Sequence, residues 1–433
     1  MTEDIHKRMF VTCAHEDRIG NLPEQLIASI LEKLPIQDAV RTSILSKNWR
    51  YRWTTMCALI FYKQFSIRFA KNGAFGRNGF IRIINHVLFF HKGPISKFVL
   101  HIPNMLLDSF QEIDQWILFL SRNGVREFFL ANSCRRYELP SYLFSCLELR
   151  TLHLVNCILK PPLEFQRFPN LEFLSLRYID FGANSGRTVI DLPRLKILLM
   201  AKCTNAYNFN IKATKLQTLN VIACPDAALF QLFHSQYLTT FFICSMEPIQ
   251  GSAQVEKVSL TRMLSNLPNI AYFLTNGCFL KFYIAEDIPK WLPHKLNSLK
   301  HLHLLNTKFG DLGQLQAALC MLRNSPNLEQ LIVRNEHMDI YFDEEAALSY
   351  LEASDCLDQT LNRLQTVTII YVEGSKPELL FIKLLLDHSP TIRKMRIQLR
   401  TVDAHKRLNF VKNVMGFPRV SVNVEILMNV TCV

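Results

Sequence analysis

The sequence predicts an α/β protein in which a small N-terminal helical domain precedes a long solenoid of short parallel strands. Two observations predict this fold. An apolar stripe with helical spacing runs through residues 22–53, and the strand pattern Leu-x-x-Leu-x-Leu recurs along the rest of the chain. At 433 residues the chain is too long for one hydrophobic core, and its apolar content of 49% excludes a mainly disordered protein. A repeat array accommodates such a chain because each unit buries its apolar face against the next.

The N-terminal stripe predicts three short helices. Pro23 suits the first turn of the first helix, and Pro35 ends it. A second stripe follows Pro35, and Ser46 is expected to cap a third helix that carries Trp49 and Trp53 on one face. A domain of roughly 35 residues buries too little surface to be stable alone. Its apolar excess therefore predicts packing against the rest of the chain or against a partner.

The pattern LPxxLIxxILxxLPxxDAVRTSxLSKxWRxxW in residues 22–53 resembles the F-box of plant F-box proteins. Its two Leu-Pro pairs and its Ser-Lys-x-Trp-Arg run favour an F-box over an ordinary helical cap whose apolar face is core. The resemblance implies that residues 17–60 bind the Skp-type adaptor of an SCF ubiquitin ligase, and through it the cullin and the RING subunit. The implied adaptor-binding residues are Leu22, Pro23, Ile27, Leu31, Leu34, Pro35, Val40, Leu45, Ser46, Trp49 and Trp53.

Twelve copies of the strand pattern make up the predicted solenoid. They start at Ile95, Val125, Leu149, Leu171, Leu195, Leu216, Leu238, Ile270, Leu299, Leu328, Leu364 and Ile392. From Val125 to Leu238 the starts are 21 to 24 residues apart, which is the spacing of leucine-rich repeats. The fourth and sixth positions are predicted to point inward, and the third, fifth and seventh to face solvent on the concave side. The sequence thus predicts leucine-rich repeats over 95–354, with an insertion near 246–296.

Three cysteines recur at one position of this frame, Cys157, Cys203 and Cys224. They are predicted to be structural, because no general base stands at a constant distance from them. The chain has 12 cysteines but no CxxC pair and no Cys/His cluster with zinc-ligand spacing. Without a secretory signal, these thiols are expected to be reduced.

The C-terminal region, residues 355–433, alternates strand, helix and strand, with a helix expected from Pro377 to Asp387. Together with the run SYLFSCLELRTLHLVNC at residues 141–157, it resembles the plant F-box/FBD/leucine-rich-repeat class. This resemblance extends over nearly the whole chain from about Asp17, and it implies an FBD-like αβ region at the C-terminus. An N-terminal tail, residues 1–16, and a connecting basic segment, residues 61–94, complete the predicted organisation.

The net charge of +12 is concentrated in one stretch of the chain. Between Ala39 and Leu107 there is no acidic residue, whereas eleven lysines and arginines occur there. Such a stretch attracts an acidic protein such as the adaptor, or neutralises the phosphates of a nucleic acid. A nucleic-acid partner is the weaker interpretation, since no nucleic-acid-binding motif is present. No apolar run reaches the ~18 residues of a membrane span, so we expect an intracellular protein of the nucleus or cytoplasm without a membrane partner.

The sequence contains no catalytic constellation, neither a phosphate-binding glycine loop nor a nucleophile elbow. We expect no enzyme, no cofactor and no metal, because the best pair of metal ligands, His301 and His303, has no third ligand at a matching position. The resemblance implies a non-catalytic ligase subunit that recruits an unknown protein substrate. An adaptor-bound scaffold without a ligase role stays an alternative, as does a basic nucleic-acid binder. The candidate substrate-binding residues are His153, Phe173, Arg177, Phe242, Tyr272, His301, His303, Arg334, Lys394 and Arg396, the aromatic and cationic side chains of the concave positions.

Overall fold

The computed structural model confirms the α/β fold class. It describes residues 22–70, 73–104, 110–182, 189–206, 210–224, 236–246, 259–282, 284, 288–335, 344–353, 357, 361–400 and 403–430. The contacts within the chain define two compact units, Met1–Phe129 and Leu130–Val433. The predicted tail of residues 1–16 lies outside the described residues.

The first unit contains the predicted N-terminal helices. Its helices are α1 (Glu24–Glu32), α2 (Ile36–Arg41), α3 (Lys63–Ala70), α4 (Gly73–Phe90) and α5 (Gln111–Ser121), and its strands are β1 (Ala58–Phe61), β2 (Lys97–Ile102) and β3 (Glu127–Asn132), which crosses the boundary between the units. Helices α1 and α2 begin directly after Pro23 and Pro35, whose fixed φ suits the first turn of a helix.

The third predicted helix is wrong. Residues 47–51 form turns, and only 3-10 helices, Thr42–Ile44 and Arg52–Thr55, flank them. The expected cap is missing, because the buried Ser46 hydroxyl has no hydrogen-bond partner. The chain instead turns so that Trp49 and Trp53 are both buried.

Strand β1 was not predicted, yet it follows the repeat frame. Met56, Leu59 and Phe61 occupy the first, fourth and sixth positions and are all buried. Strand β1 pairs with β2 in parallel, Leu59 beside Phe98. The repeat pattern therefore starts one repeat earlier than predicted, at Met56 instead of Ile95. Helices α3 and α4 fill most of the predicted basic segment, and four phenylalanines of β1, α3 and α4 pack with ring centroids 5.1 to 5.9 Å apart, namely Phe61, Phe65, Phe69 and Phe80.

The second unit is built on a parallel sheet with one strand per repeat. These strands are β5 (Thr151–Val155), β7 (Phe173–Arg177), β9 (Ile197–Ala201), β11 (Thr218–Ile222), β12 (Thr240–Cys244), β13 (Tyr272–Asn276), β14 (His301–Leu305), β15 (Gln330–Arg334), β16 (Thr366–Val372), β17 (Lys394–Leu399) and β18 (Glu425–Val430), and they lie side by side in this order. Short strands flank the sheet in two pairs: β4 (Tyr137–Glu138) with β6 (Cys157–Ile158), and β8 (Val189–Asp191) with β10 (Asn210–Lys212).

Burial confirms the predicted inward positions. In all twelve predicted repeats the first, fourth and sixth residues are buried, as Leu299, Leu302 and Leu304 illustrate at 0% exposure. In the repeat that starts at Ile270 the sixth residue is Thr275, which is also buried. Within the second unit these residues form an apolar core beneath the sheet, and every repeat there depends on its neighbours.

The helices of the second unit lie between the strands in sequence. They are α6 (Leu260–Ser265), α7 (Gly277–Phe282), α8 (Leu312–Arg323), α9 (Glu345–Glu352), α10 (Lys376–His388) and α11 (Ala404–Gly416), together with a 3-10 helix, Ser141–Ser145. The helix predicted from Pro377 to Asp387 is confirmed as α10. It begins with a capping box in which the Ser375 hydroxyl accepts from the Glu378 N–H, and the Glu378 carboxylate accepts from the Ser375 N–H. Of the predicted insertion, residues 247–258, 283 and 285–287 lie outside the described residues.

The eighth position of several repeats adopts a left-handed backbone, at Asn156, Tyr178, Lys202, Ala223, Asn306 and Tyr371. This turn connects neighbouring repeats by a hydrogen bond. The N–H of Asn156 donates over 2.9 Å to the carbonyl of Arg177, the last residue of the strand in the next repeat. The following residue, Cys157, is buried and donates its thiol to the Val155 carbonyl. Burial raises the pKa of Cys157 to about 12, which opposes a nucleophilic role and supports the predicted structural one.

Candidate functional site

The structure separates the predicted adaptor-binding residues into a buried and an accessible group. Ile27, Leu31, Trp49 and Trp53 are at most 3% exposed and belong to the core of the first unit. The accessible group consists of the exposed Pro23 and Leu45 and the half-buried Leu22, Leu34, Pro35, Val40 and Ser46. Adaptor binding by this set stays a prediction, but only the accessible group has surface to offer a partner without unfolding.

In the part of the F-box that the structure describes, residues 22–60, five large apolar side chains are exposed, and four of them are absent from the predicted set. They are Leu26, Ile30, Ile44, Leu45 and Tyr51, hereafter the F-box patch. The most exposed of them is Ile44, at 86%, although isoleucine is among the residues most often buried in proteins. Apolar side chains gathered in one small domain are typical of a protein-interaction surface.

The position of the F-box patch follows from the phase of α1. Ile27 and Leu31 are four residues apart and share the buried face. Leu26 and Ile30 repeat the same spacing about 100° around the helix, so they lie beside that face and remain exposed. The width of the apolar stripe could have predicted this exposed surface, because five apolar residues on three helical turns are more than one buried face accommodates.

Polar contacts keep the F-box turns in place. Arg52 donates to the Glu24 carboxylate over 2.6 Å, which connects the 3-10 helix Arg52–Thr55 to the start of α1. Thr42 donates to the carbonyl of Ala39 over 2.6 Å and closes the end of α2. These bonds fix the backbone on both sides of Ile44, so that the patch is presented by an ordered chain.

The second candidate surface is the exposed face of the repeat sheet. Strand registers place the same repeat position side by side from strand to strand, so that Phe242, Leu274, His303 and Ile332 form one row. The predicted substrate-binding residues fall into three such rows: Phe173, Tyr272, His301 and Lys394 at the third position; His153, Phe242, His303 and Arg396 at the fifth; Arg177 and Arg334 at the seventh.

The centre of this face is a cluster of two aromatic and two imidazole side chains. Tyr272 lies between Phe242, at 5.1 Å between ring centroids, and the rings of His301 and His303, at 5.6 and 4.5 Å. The Tyr272 hydroxyl and the His303 imidazole are hydrogen-bonded, with 2.6 Å between Oη and Nδ1. His301 Nδ1 lies 3.0 Å from Oε1 of Gln330. The structure thus brings together four predicted residues from three adjacent strands, hereafter the central cluster.

His303 and Tyr272 of the central cluster are uncharged at neutral pH. Burial first, and then the nearby His301, lowers the pKa of His303 to about 4. Burial also raises the pKa of Tyr272. A hydrogen-bonded aromatic surface of this kind suits an apolar or aromatic side chain of a partner.

The remaining predicted residues lie away from the central cluster. His153 and Phe173 stack at 4.7 Å on β5 and β7, next to the exposed Arg177. On β15 to β17, Arg334 lies over the Tyr371 ring at 5.9 Å, and Lys394 pairs with Glu425 at 3.4 Å. Sequence reasoning missed Tyr371, because a tyrosine at the eighth position of the repeat frame has no predicted role.

Within the ranges that the structure describes, no three His, Cys, Asp or Glu side chains lie close enough to hold a metal ion. No helix in the described part of the chain has the length and apolar character needed to cross a bilayer. His301 and His303 contact Gln330 and Tyr272 instead of converging on a common point.

Two family models match the chain. Residues 19–60 match the F-box domain. Residues 113–333 match the leucine-rich repeats of the FBD-associated F-box protein At5g56370. The first match contains the whole F-box patch, and the second contains the central cluster.

Curated proteins are similar over most of the chain. The F-box/FBD/LRR-repeat protein At1g13570 of Arabidopsis thaliana is 30% identical over 95% of this chain and 98% of its own length. The putative FBD-associated F-box protein At5g50270 of Arabidopsis thaliana is 23% identical over 91% of this chain and 100% of its own length. Among solved structures, an internalin of Listeria monocytogenes aligns with a TM-score of 0.35 and 13% identity over 82% of this chain and 90% of the internalin chain.

Proposed function

Because this chain belongs to the F-box/FBD/LRR-repeat family, we propose that it recruits protein substrates to an SCF-type cullin–RING ubiquitin ligase. In this proposal the F-box, residues 17–60, binds a Skp-type adaptor, and the adaptor connects the chain to the cullin and the RING subunit. The exposed face of the repeats, residues 95–354 with the FBD-like region 355–433, binds the target. In this proposal, substrate recruitment takes place inside the cell, in the nucleus or the cytoplasm.

The observation that carries the proposal is the F-box patch. Leu26, Ile30, Ile44, Leu45 and Tyr51 leave apolar surface in water although the same domain has a packed core of Ile27, Leu31, Trp49 and Trp53. Fully burying one large apolar side chain contributes about 1.5 to 3 kcal/mol. Covering several of them therefore favours a complex with an adaptor, and this gain offsets part of the cost of association.

The chain contributes proximity rather than chemistry. Lysine attack on a ubiquitin thioester takes place on the conjugating enzyme, which the RING subunit binds. A receptor that holds the target on the same complex converts this encounter into a nearly intramolecular step, with a high effective concentration of the target lysine. The Cys157 thiol, whose pKa burial raises to about 12, has no part in such a reaction.

The decisive experiment is a binding assay between the full chain and a purified Skp-type adaptor. We expect the double variant Ile44→Asp, Leu45→Asp to lose adaptor binding while its thermal unfolding stays unchanged, because both side chains are exposed. Phe89→Asp is the matched control, since Phe89 is 82% exposed in the same unit but lies outside the residues that match the F-box. Undiminished binding of the double variant overturns the proposed adaptor surface.

The same complex distinguishes a ligase receptor from an adaptor-bound scaffold. Cullin and RING subunit are added to the complex of the chain with the adaptor, and co-elution on size-exclusion chromatography is measured. A receptor elutes with all three partners. Elution with the adaptor alone would favour the scaffold.

A further inference from the structure

Ten strands of the repeat face carry no acidic residue. Strands β5, β7, β9 and β11 to β17 contain neither Asp nor Glu, whereas they contain Arg177, Arg334, Lys394 and Arg396. Protein surfaces ordinarily intersperse both signs of charge. The first carboxylate on the strands that follow is Glu425 of β18, which pairs with Lys394 at 3.4 Å.

Acidic residues are present beside the face, at the second position of the repeats. There Glu172 accepts from Lys196 at 2.6 Å, and Glu329 pairs with Lys300 at 3.2 Å. These carboxylates precede the strands and are matched by lysines of neighbouring repeats. The segregation leaves one edge of the sheet neutralised and its face positive, which is the pattern of an electrostatically selective interface.

Arg334 of the face and Arg400, which follows β17 and pairs with Glu373 at 3.8 Å, both approach the ring of one tyrosine. The guanidinium carbons of Arg334 and Arg400 lie 5.9 and 5.8 Å from the centroid of the Tyr371 ring. Tyr371 has a left-handed backbone, φ 64°, where the register of β16 against β17 shifts between Ile370 and Val372. A guanidinium that stacks on a ring can still offer the N–H groups of its edge to a carboxylate.

From this arrangement we propose that the repeat face binds an acidic segment of the target protein that also carries an apolar or aromatic residue. The carboxylates of the segment meet Arg334 and Arg396, and its apolar residue packs on the central cluster. This inference rests on the proposed function, because it assigns a chemical class to the substrate of that face.

The geometry sets the spacing within such a segment. His303 on β14 and Arg396 on β17 occupy the same row of the face, three strand steps apart. Three steps of ~4.8 Å make about 14 Å, which an extended chain covers in about four residues. The acidic residues of the bound segment therefore lie about four residues from its apolar anchor.

The test is a selection from a random-peptide display library with the full chain as bait, in the absence of the adaptor. We expect the enriched peptides to be net negative, with Asp or Glu about four residues from an aromatic or aliphatic residue. In the double variant Arg334→Glu, Arg396→Glu this preference disappears, and a synthetic peptide made from the wild-type selection binds roughly tenfold or more weakly, since two charge-assisted contacts are lost. Arg407→Glu is the matched control, an exposed charge reversal on α11 that leaves the peptide affinity unchanged.

Several outcomes overturn the inference. Enrichment of neutral or basic peptides by the wild-type chain does so, as does no enrichment at all. An unchanged acidic preference in the double variant removes the arginines from the site. Displacement of the peptide by inorganic phosphate, but not by sodium chloride of equal ionic strength, reassigns the site to phosphorylated segments. Adaptor binding is measured on every variant, so that a failed adaptor surface and a failed peptide site are distinguished.

Discussion

The F-box patch and the repeat face are both candidate interaction surfaces, but they expose their side chains in different ways. Ile44 in the F-box is 86% exposed and Leu45 53%, with few neighbours of their own chain around them. On the repeat face Phe242, Tyr272 and His303 are half-buried, because each lies against the same position of the next strand. The F-box patch is surrounded mainly by water, whereas the side chains of the repeat face already pack against one another.

The difference indicates how each surface gains free energy on binding. A partner of the F-box patch covers apolar area that water now surrounds, so its identity depends on shape and apolar contact. A partner of the repeat face meets side chains that neighbours already order, so less conformational entropy is lost on binding. Specificity there rests on hydrogen bonds and charge. Substitutions of exposed side chains in the F-box patch should therefore change the affinity for a partner. Substitutions of the packed side chains of the repeat face should also change stability. Five experiments test this difference.

The largest effect is expected inside the F-box. Trp49→Ala removes a side chain that is 2% exposed and should lower the free energy of unfolding by about 3 to 5 kcal/mol. Tyr51→Ala, two residues away and 62% exposed, should change it by less than about 0.5 kcal/mol. Urea denaturation followed by circular dichroism measures both. Equal effects of the two substitutions would show that the buried and exposed groups are wrongly divided.

The adaptor should stabilise the F-box and leave the repeat face alone. At an adaptor concentration of about 100 Kd, linkage predicts a gain of about 2.7 kcal/mol in the unfolding free energy of the unit that binds it. The gain should vanish in Ile44→Asp, Leu45→Asp and persist in Tyr272→Ala. Hydrogen exchange with and without adaptor, read separately for residues 24–55 and for β13, measures the gain. Protection that appears first in β13 would contradict the assignment.

A smaller effect is expected within the central cluster. Tyr272→Phe removes a hydroxyl that is hydrogen-bonded to His303, and should cost about 0.5 to 1.5 kcal/mol of unfolding free energy. His301→Ala, whose imidazole contacts Gln330 instead, serves as the comparison. Thermal unfolding of both variants checks the expectation. No change in Tyr272→Phe would mean that this hydrogen bond adds nothing to the order of the face.

The pH dependence of stability tests the same cluster. The folded state lowers the pKa of His303 from 6.5 to about 4, because burial disfavours the imidazolium. Between these values the unfolded state binds more protons than the folded state, so stability is fully present above pH 6.5 and is lost as the pH falls toward 4. The loss should be smaller in His303→Gln. Equal pH profiles of variant and wild type would remove His303 as the cause, and an NMR titration of its imidazole gives the pKa directly.

The smallest effect is expected at the edge of the repeat sheet. Lys196→Ala breaks a 2.6 Å ion pair with Glu172, in which the side chains are 50% and 36% exposed. Pairs so open to water contribute about 0 to 1 kcal/mol, and salt screens them. The change in melting temperature should shrink further at high ionic strength. A large, salt-independent loss would indicate that Lys196 has a packing role.

Most of the repeat sheet could be predicted from the sequence. Leu149, Leu152 and Leu154, and the same positions of the other eleven predicted repeats, are buried as the frame requires. The prediction succeeded because an identical local environment recurs in every repeat, so that one residue pattern is read many times. The repeat that contains Met56, Leu59 and Phe61 was missed. It directly follows the apolar stripe of the F-box, and a single copy of the pattern has no periodicity of its own.

The candidate site was less predictable. The aromatic and cationic members of the three rows were identified from the frame, but the contacts between Tyr272, His303 and Phe242 depend on strand registers across the insertion near 246–296. The left-handed backbone of Tyr371, which places its ring between two arginines, has no signal in the local sequence. Tyrosine adopts this conformation only when the surrounding sheet compensates for its strain.

The sequence alone determined which side chains are apolar and at what spacing, and therefore the F-box and the repeats. Only the tertiary structure decided which half of the F-box stripe is core. Ile27 and Leu31 are buried and Leu26 and Ile30 are exposed, although all four are equally apolar. The choice depends on where residues 47–55 return over α1, with Arg52 bound to Glu24 across 28 positions of chain. Local periodicity specifies a helix, whereas burial is a property of all the segments that pack against it.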